Sequence, residues 1–202
     1  MKFLSRGNTP PEPTPPPNTQ IGVGSSIRGT LMVAGTLRIV GYDLETGREE
    51  WTVRGISRMV SCSPTIGDDG RLYVAGWAAG GDDNERISVE AYESTARLRD
   101  KDQDGFFTEE ELETGPIHQR FSQVDRNKDG KISREEYEYF RRLFAEGKNM
   151  VLCINPGAKG DATENSVAWR HMKQVPFCAS PLYVEGLVFT VKDGGVVQCI
   201  DA

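Results

Sequence analysis

The chain has 202 residues, of which 30 are acidic and 24 are basic, so its formal net charge at pH 7 is −6. This length accommodates one or two domains. The sequence has no basic cluster of the kind that binds nucleic-acid phosphates, and its apolar runs are all shorter than a membrane-spanning helix. We therefore predict neither a nucleic-acid partner nor a membrane span.

Residues 1–20 are rich in proline, with six prolines between positions 10 and 17. Proline-rich sequences of this kind favour an extended chain without a packed core. We therefore predict a disordered tail here. The run Lys2-Phe3-Leu4 is too short for the apolar part of a signal peptide, so either the chain stays in the cytoplasm as written or its true start is missing.

Two parts of the chain, residues 21–86 and 148–202, contain short runs typical of β-strands. Branched and aromatic residues dominate these runs, and glycine-containing turns such as Thr46-Gly47 bound them. The predicted strands are residues 31–35, 37–44, 71–76, 150–154, 166–169, 187–191 and 196–200. Both flanks of the chain are therefore predicted to be β-rich.

The middle of the chain, residues 87–147, carries 15 acidic and 10 basic side chains and thus most of the net negative charge. Within it, the twelve-residue stretches 100–111 and 125–136 share one pattern. Acidic or amide side chains occupy positions one, three and five, a glycine occupies position six, and a glutamate occupies position twelve. Two complete matches 25 residues apart argue against the alternative of two acidic surface turns.

Oxygen ligands at alternate positions of a tight turn suit Ca²⁺, which takes six to eight oxygens. Position seven uses only its backbone carbonyl, so its side chain is unconstrained, and position nine uses a hydroxyl directly or through water. We predict two EF-hand loops, each binding one Ca²⁺. The predicted ligands are Asp100, Asp102, Asp104, Phe106, Thr108 and Glu111 in the first loop, and Asp125, Asn127, Asp129, Lys131, Ser133 and Glu136 in the second.

Helices are predicted on both sides of each loop. Residues 87–99 form the helix before the first loop, with an apolar face made by Ile87, Ala91 and Leu98. The helix that leaves this loop has about a turn and a half before Gly115-Pro116 ends it, and Pro116 begins the helix that enters the second loop. Phe121 and Val124 are the apolar residues of that entering helix.

The helix after the second loop begins at Ser133, which forms a capping box with Glu136. Phe107 and Ile132, at position eight of the two loops, are expected to pair in a short two-stranded contact. Methionine is scarce around the pair, which favours a structural calcium site over a sensor that opens on binding. The apolar stripe of the last helix consists of Tyr137, Phe140, Leu143 and Phe144.

The β-rich flanks repeat. Ser63-Pro64 and Ser180-Pro181 lie 117 residues apart, and removing the helical insert leaves a period close to that of a four-stranded propeller blade. The run Asp43-Leu-Glu-Thr46-Gly47-Arg-Glu-Glu-Trp51 resembles the repeat signature of the pyrroloquinoline-quinone-type β-propellers. Residues 186–202 resemble the next repeat, cut before its own turn, and residues 29–202 as a whole resemble quinoprotein-like bacterial propeller proteins with an EF-hand pair inserted in one blade.

This resemblance implies a mainly β fold with an α-helical insert: a partial propeller of about two blades of antiparallel strands, interrupted by a paired EF-hand domain. An ordinary β-sandwich is the alternative. The chain is expected to be a fragment, and because the resembling family is largely exported, we expect a periplasmic or extracellular location, otherwise a cytoplasmic one. The predicted divisions are a tail at 1–20, blade segments at 21–86, the EF-hand pair at 87–147 and blade segments at 148–202.

The predicted function is calcium binding on a propeller scaffold that supports structure or interacts with another protein. A quinoprotein dehydrogenase fragment and a calcium-dependent enzyme are the alternatives. The sequence has no adjacent cysteines and too few blades to enclose a quinone, so pyrroloquinoline quinone is not expected, and no catalytic constellation is visible. Cys153 and Cys199 fall within apolar strands, where we expect buried free thiols.

Overall fold

The computed structural model describes residues 20–21, 24–27 and 29–202. The disordered tail predicted for residues 1–20 lies outside these residues, except for Gln20. Strands hold 33% of the chain and helices 18%, so the fold is mainly β, as predicted. The described part contains three larger sheets and one small sheet of two strands.

The first sheet is a meander of five consecutive antiparallel strands with one further strand at its edge. In spatial order its strands are β1 (Gln20–Ile21), β2 (Gly24–Ile27), β3 (Thr30–Gly35), β4 (Arg38–Asp43), β5 (Glu49–Arg54) and β11 (Gly160–Asp161). Strand β11 pairs in parallel with β5, with Gly160 opposite Trp51. The sequence did not predict this return of the C-terminal half to the first sheet.

The turn between β4 and β5 has the geometry expected of its Thr-Gly sequence. The Asp43 carboxylate accepts hydrogen bonds from the backbone N–H and the hydroxyl of Thr46, both at 2.7 Å. Gly47 follows with a φ of +69°, a conformation that a residue without a Cβ adopts at little cost. The predicted turn is therefore confirmed, and it joins two antiparallel strands.

The central sheet contains four antiparallel strands in the order β12 (Val167–His171), β10 (Met150–Ile154), β7 (Leu72–Gly76) and β6 (Thr65–Ile66). Strands β7 and β10 are neighbours although residues 77–149 separate them in the chain. Ala75 lies opposite Val151, and Leu72 lies opposite Ile154. The expectation that one sheet continues across the helical insert is confirmed.

The third sheet is a three-stranded antiparallel meander of β13 (Leu182–Val184), β14 (Leu187–Lys192) and β15 (Val196–Asp201). The central sheet lies between the first and the third. Val74 and Leu152 share a buried cluster with Ile39 of the first sheet, whereas Tyr73 shares one with Val188 of the third sheet. All five residues of β7 and of β10 are buried, which explains why both strands are continuous apolar runs in the sequence.

The helical part, residues 87–147, is here called the helical module. Its elements are α1 (Tyr92–Arg99), β8 (Phe106–Phe107), α2 (Glu109–Leu112), a 3₁₀ turn (His118–Arg120), α3 (Phe121–Val124), β9 (Ile132–Ser133) and α4 (Arg134–Glu146). Its core contains Tyr92, Phe107, Leu112, Ile117, Phe121, Val124, Ile132, Tyr137, Phe140 and Phe144. This core is separate from that of the sheets, as the insertion hypothesis predicts.

The helix predicted for residues 87–99 is shorter than expected. It begins at Tyr92, after an extended Ala91, and Leu98 is 80% exposed rather than part of an apolar face. Tyr92 supplies the buried contact instead, and its backbone N–H donates to the Glu138 carboxylate at 3.2 Å. Because this acceptor satisfies an otherwise free amide at the helix start, the chain before Tyr92 can run extended, with Ile87 packed against the module core.

The connection between the two loops also differs from the prediction. Helix α2 has one turn, because Glu113 has a φ of +52° and the helix cannot continue through it. The helix that enters the second loop begins at His118 rather than at Pro116, with a 3₁₀ turn that leads into α3. Gly115, with a φ of +107°, turns the chain just before Pro116. Phe121 and Val124 are buried, as predicted.

All four cysteines carry free thiols. Cys62 and Cys153 are buried, and burial raises the pKa of each thiol to about 11 because it disfavours the thiolate. The expectation for Cys153 is confirmed. For Cys199 the free thiol is confirmed but the burial is wrong, because its side chain lies on the outer face of the third sheet and is exposed.

A buried asparagine joins the two ends of the insert. Asn149 is 1% exposed, and its side-chain amide donates to the Ala78 carbonyl at 2.9 Å and to the Asp82 carboxylate at 3.1 Å. Its carbonyl accepts from the Ala78 N–H at 2.8 Å and from the Ser57 hydroxyl at 3.1 Å. These four hydrogen bonds tie the two ends of the insert together, and this arrangement is here called the Asn149 clamp.

Candidate metal centre

The stretches 100–111 and 125–136, here called loop one and loop two, lie side by side. Strand β8 of loop one pairs antiparallel with β9 of loop two, with Phe107 opposite Ile132 and Phe106 opposite Ser133. Phe107 and Ile132 are fully buried. The predicted contact at position eight is confirmed, and it holds the two loops in a fixed relation to one another.

The turns of the two loops share the same internal hydrogen bonds. The N–H at position six donates to the carboxylate at position one, from Gly105 to Asp100 at 3.1 Å and from Gly130 to Asp125 at 3.0 Å. Position four has a positive φ in both loops, +60° and +61°. The two loops differ in sequence but share this hydrogen bond and this positive φ, which indicates that both backbones form the same kind of turn.

The side chain at position three of each loop accepts a hydrogen bond from the N–H at position five. Asp102 accepts from Asp104 at 3.1 Å, and Asn127 accepts from Asp129 at 3.0 Å. Each of these bonds holds the side chain at position three against the backbone of its own turn. In loop one, one carboxylate oxygen each of Asp100, Asp102 and Asp104 lies within 4.8 Å of the others.

The glutamates at position twelve reach back across their loops. Glu111 accepts from the N–H of Lys101 at 3.0 Å with one oxygen and from the N–H of Thr108 at 2.9 Å with the other. The hydrogen bond from the Thr108 N–H lowers the pKa of Glu111 below its ordinary value. Partial burial works in the opposite direction, and the hydrogen bond from the Lys101 N–H adds to the lowering. Both carboxylate oxygens of Glu111 therefore accept hydrogen bonds from the loop and face it.

Glu136 has the corresponding place in loop two. It accepts from the N–H of Arg126 at 2.9 Å and from the N–H of Ser133 at 3.0 Å. Burial works to raise its pKa, but the hydrogen bonds from Ser133, Arg126 and Asn127 outweigh burial, and the pKa of Glu136 is lowered. The capping box between Ser133 and Glu136 is confirmed, and loop one has the same arrangement with Thr108 and Glu111.

Two buried carboxylate oxygens lack any partner. Oδ1 of Asp100 and Oδ1 of Asp125, each at position one, are buried and accept no hydrogen bond. A buried oxygen with negative charge is costly unless a cation or a donor compensates it. The same atom is left uncompensated at the same position of both loops, so the donor set fits a hard dication bound inside each turn.

Lys131 departs from the prediction that its side chain is unconstrained. From position seven of loop two it reaches loop one, where its Nζ lies 2.6 Å from Oδ2 of Asp104. Its Nζ also lies 5.6 Å from the centre of the Phe106 ring. The hydrogen bond from Lys131, together with the N–H of Phe106, lowers the pKa of Asp104. Sequence spacing could not reveal this contact, because it depends on the pairing of β8 with β9.

Comparison with known protein families adds one finding. Residues 117–140 match the family model described as EF hand. This segment contains all of loop two with the helix that enters it and the first turns of α4, and an EF-hand motif indicates calcium binding. No curated protein matches the chain. Among the described residues, none of the helices has the length and apolar character that a bilayer crossing requires.

Proposed function

We propose that this protein binds two Ca²⁺ ions, one in loop one and one in loop two, as a paired EF-hand unit. The ligands would be the side chains of positions one, three, five, nine and twelve with the carbonyl of position seven. These are Asp100, Asp102, Asp104, Phe106, Thr108 and Glu111, and Asp125, Asn127, Asp129, Lys131, Ser133 and Glu136.

The observation that carries this proposal is the uncompensated Oδ1 at position one of both loops. A dication beside it would supply the missing charge and would draw on the neighbouring oxygens of positions three, five and twelve. The repeated hydrogen-bond pattern supports the same role for loop one as for loop two, although only loop two lies within the matched EF-hand segment.

Titration calorimetry of the whole chain with Ca²⁺ tests the proposal. We expect two ions per chain, and we expect Glu111→Gln and Glu136→Gln each to weaken one site about tenfold or more, because each removes the bidentate carboxylate. Glu110→Gln and Glu135→Gln are matched controls, since they remove the same charge from the exposed position eleven. Absence of calcium heat, or equal effects of Glu111→Gln and Glu110→Gln, would contradict the proposal.

We further propose that the sheets form part of a β-propeller that carries the helical module as an insert. Three successive sheets, each built around an antiparallel meander, stack face to face, and the four-stranded central sheet contains the insertion point. The indole of Trp51 lies so close to Gly41 that a Cβ there would be 2.2 Å from its Nε1, so glycine makes room for the Trp of the repeat signature.

The outer face of the third sheet supports this scaffold proposal. Leu182 lies opposite Phe189 and Val191 lies opposite Val197, so their side chains share one face, and Leu182 and Val197 are 59% and 64% exposed. Such an apolar face is of the kind that another sheet covers. An experimental structure with a further antiparallel sheet on this face would support the proposal, and a helix covering it would contradict it.

The role of this scaffold would be structural support or interaction with another protein in the periplasm or outside the cell. Extracellular calcium concentrations would suit sites of moderate affinity. Fractionation of the native host with an antibody against the chain tests the location, and recovery in the cytoplasmic fraction would contradict it.

A further inference from the structure

The side chain of Lys131 is shared between the two loops. Its backbone belongs to position seven of loop two, whereas its ammonium forms an ion pair with Asp104 at position five of loop one. The antiparallel pairing of Phe106 with Ser133 brings position seven of loop two beside loop one and so holds this contact in place.

Position seven of loop one makes no corresponding ion pair with loop two. Position seven of loop one is Phe106, whose uncharged ring lies against the Lys131 ammonium, with 5.6 Å between Nζ and the ring centre. Among the predicted ligand side chains, loop one has four carboxylates, and loop two has three carboxylates and the amide of Asn127. The Lys131 ammonium of loop two lies against one of the four carboxylates of loop one. On side-chain charge alone, the extra carboxylate of loop one is offset by the ammonium from loop two.

We propose that Lys131 sets the calcium affinity of loop one, by occupying a ligand of that loop with a cation that Ca²⁺ has to displace or repel. This inference rests on the proposed calcium function and names a residue that regulates it. An ammonium at 2.6 Å from Asp104 competes for the same negative charge as the metal. Calcium binding in loop one therefore releases a side chain that belongs to loop two.

The size of the effect follows from the exposure of the pair. The side chains of Lys131 and Asp104 are 44% and 31% exposed, so water and salt weaken their attraction. Removing the ammonium also removes its repulsion of a dication at close range. We expect loop one to bind Ca²⁺ about three- to tenfold more tightly without this charge.

The experiment uses the whole chain with Glu136→Gln. This substitution weakens calcium binding in loop two, so that the titration reports binding in loop one. In this background, Lys131→Met removes the ammonium and keeps an apolar stem beside Phe106. Lys128→Met is the matched control, because it removes a lysine of loop two that is exposed. Lys131→Arg is a second control, because it keeps a positive charge at this position.

Calcium titration calorimetry should show a three- to tenfold gain in affinity for Lys131→Met, less than a twofold change for Lys128→Met, and near-original affinity for Lys131→Arg. The gain should shrink in about 0.5 M KCl, because salt screens exposed charges. If Glu136→Gln binds calcium but Lys131→Met and Lys128→Met have equal affinities, the inference is wrong while the calcium function stands. If the unsubstituted chain binds no calcium, the proposed function itself is wrong.

Discussion

The Asn149 clamp yields a prediction about stability, tested by Asn149→Ala. The side chain makes four hydrogen bonds from a 1% exposed position. Three of its partner groups are themselves buried: the N–H and the carbonyl of Ala78 and the hydroxyl of Ser57. The fourth, the Asp82 carboxylate, is only partly buried, and water can replace the lost bond.

Each buried group left without a partner costs about 1 to 3 kcal/mol. The Ala78 carbonyl keeps a hydrogen bond from the Gly81 N–H at 3.1 Å, so the Ala78 N–H and the Ser57 hydroxyl are the two donors that lose their acceptor. Water that enters the space left by the amide recovers part of the cost, so we take a value near the lower limit for each of these two groups. The expected loss in the free energy of unfolding is therefore about 2 to 3 kcal/mol. Asn84→Ala is the control, since Asn84 is exposed in the same connection, and it should change stability by less than about 0.5 kcal/mol.

Urea unfolding followed by tryptophan fluorescence measures both variants, because Trp51 and Trp169 lie in the first and the central sheet. A shift of the urea midpoint without a change of slope would give the difference in stability directly. A loss below about 1 kcal/mol for Asn149→Ala would refute the view that the clamp holds the insert against the sheets.

Two further predictions concern the helical module. Removing calcium with EDTA should lower amide hydrogen-exchange protection across residues 92–146 while β7 and β10 keep theirs, because the acidic side chains of the loops then repel one another; equal protection in both states would contradict this. In calcium-free protein, acidification should lower the midpoint of thermal unfolding followed by circular dichroism at 222 nm. The pKa values of Glu111 and Glu136 are lowered in the folded state, so their stabilisation is present above the unfolded pKa of about 4.3 and is lost as the pH falls through the folded pKa; a midpoint that stays constant between pH 6 and pH 3 would argue against it.

Local patterns sufficed for much of the site and of the strands. The position of every turn residue in loops one and two follows from residue type, because carboxylates, amides and glycine act within a few positions of one another. The capping box of Ser133 and Glu136 and the pairing of Phe107 with Ile132 follow in the same way. The strands on either side of the insert could be matched because both are continuous apolar runs, which indicate burial on two faces.

Long-range contacts decided what the patterns could not. Helix α1 begins at Tyr92 because Glu138, 46 residues away, accepts the hydrogen bond of its first amide. The pairing of β11 with the first sheet and the hydrogen bonds of the Asn149 clamp also depend on residues that lie far apart in the chain. Lys131 shows the limit most clearly: its position in loop two is a matter of sequence, but its ammonium meets Asp104 only because two short strands pair. Sequence alone determined which oxygens can surround a cation, and tertiary structure decided which other charge stands beside them, since Coulomb interactions depend on distance in space.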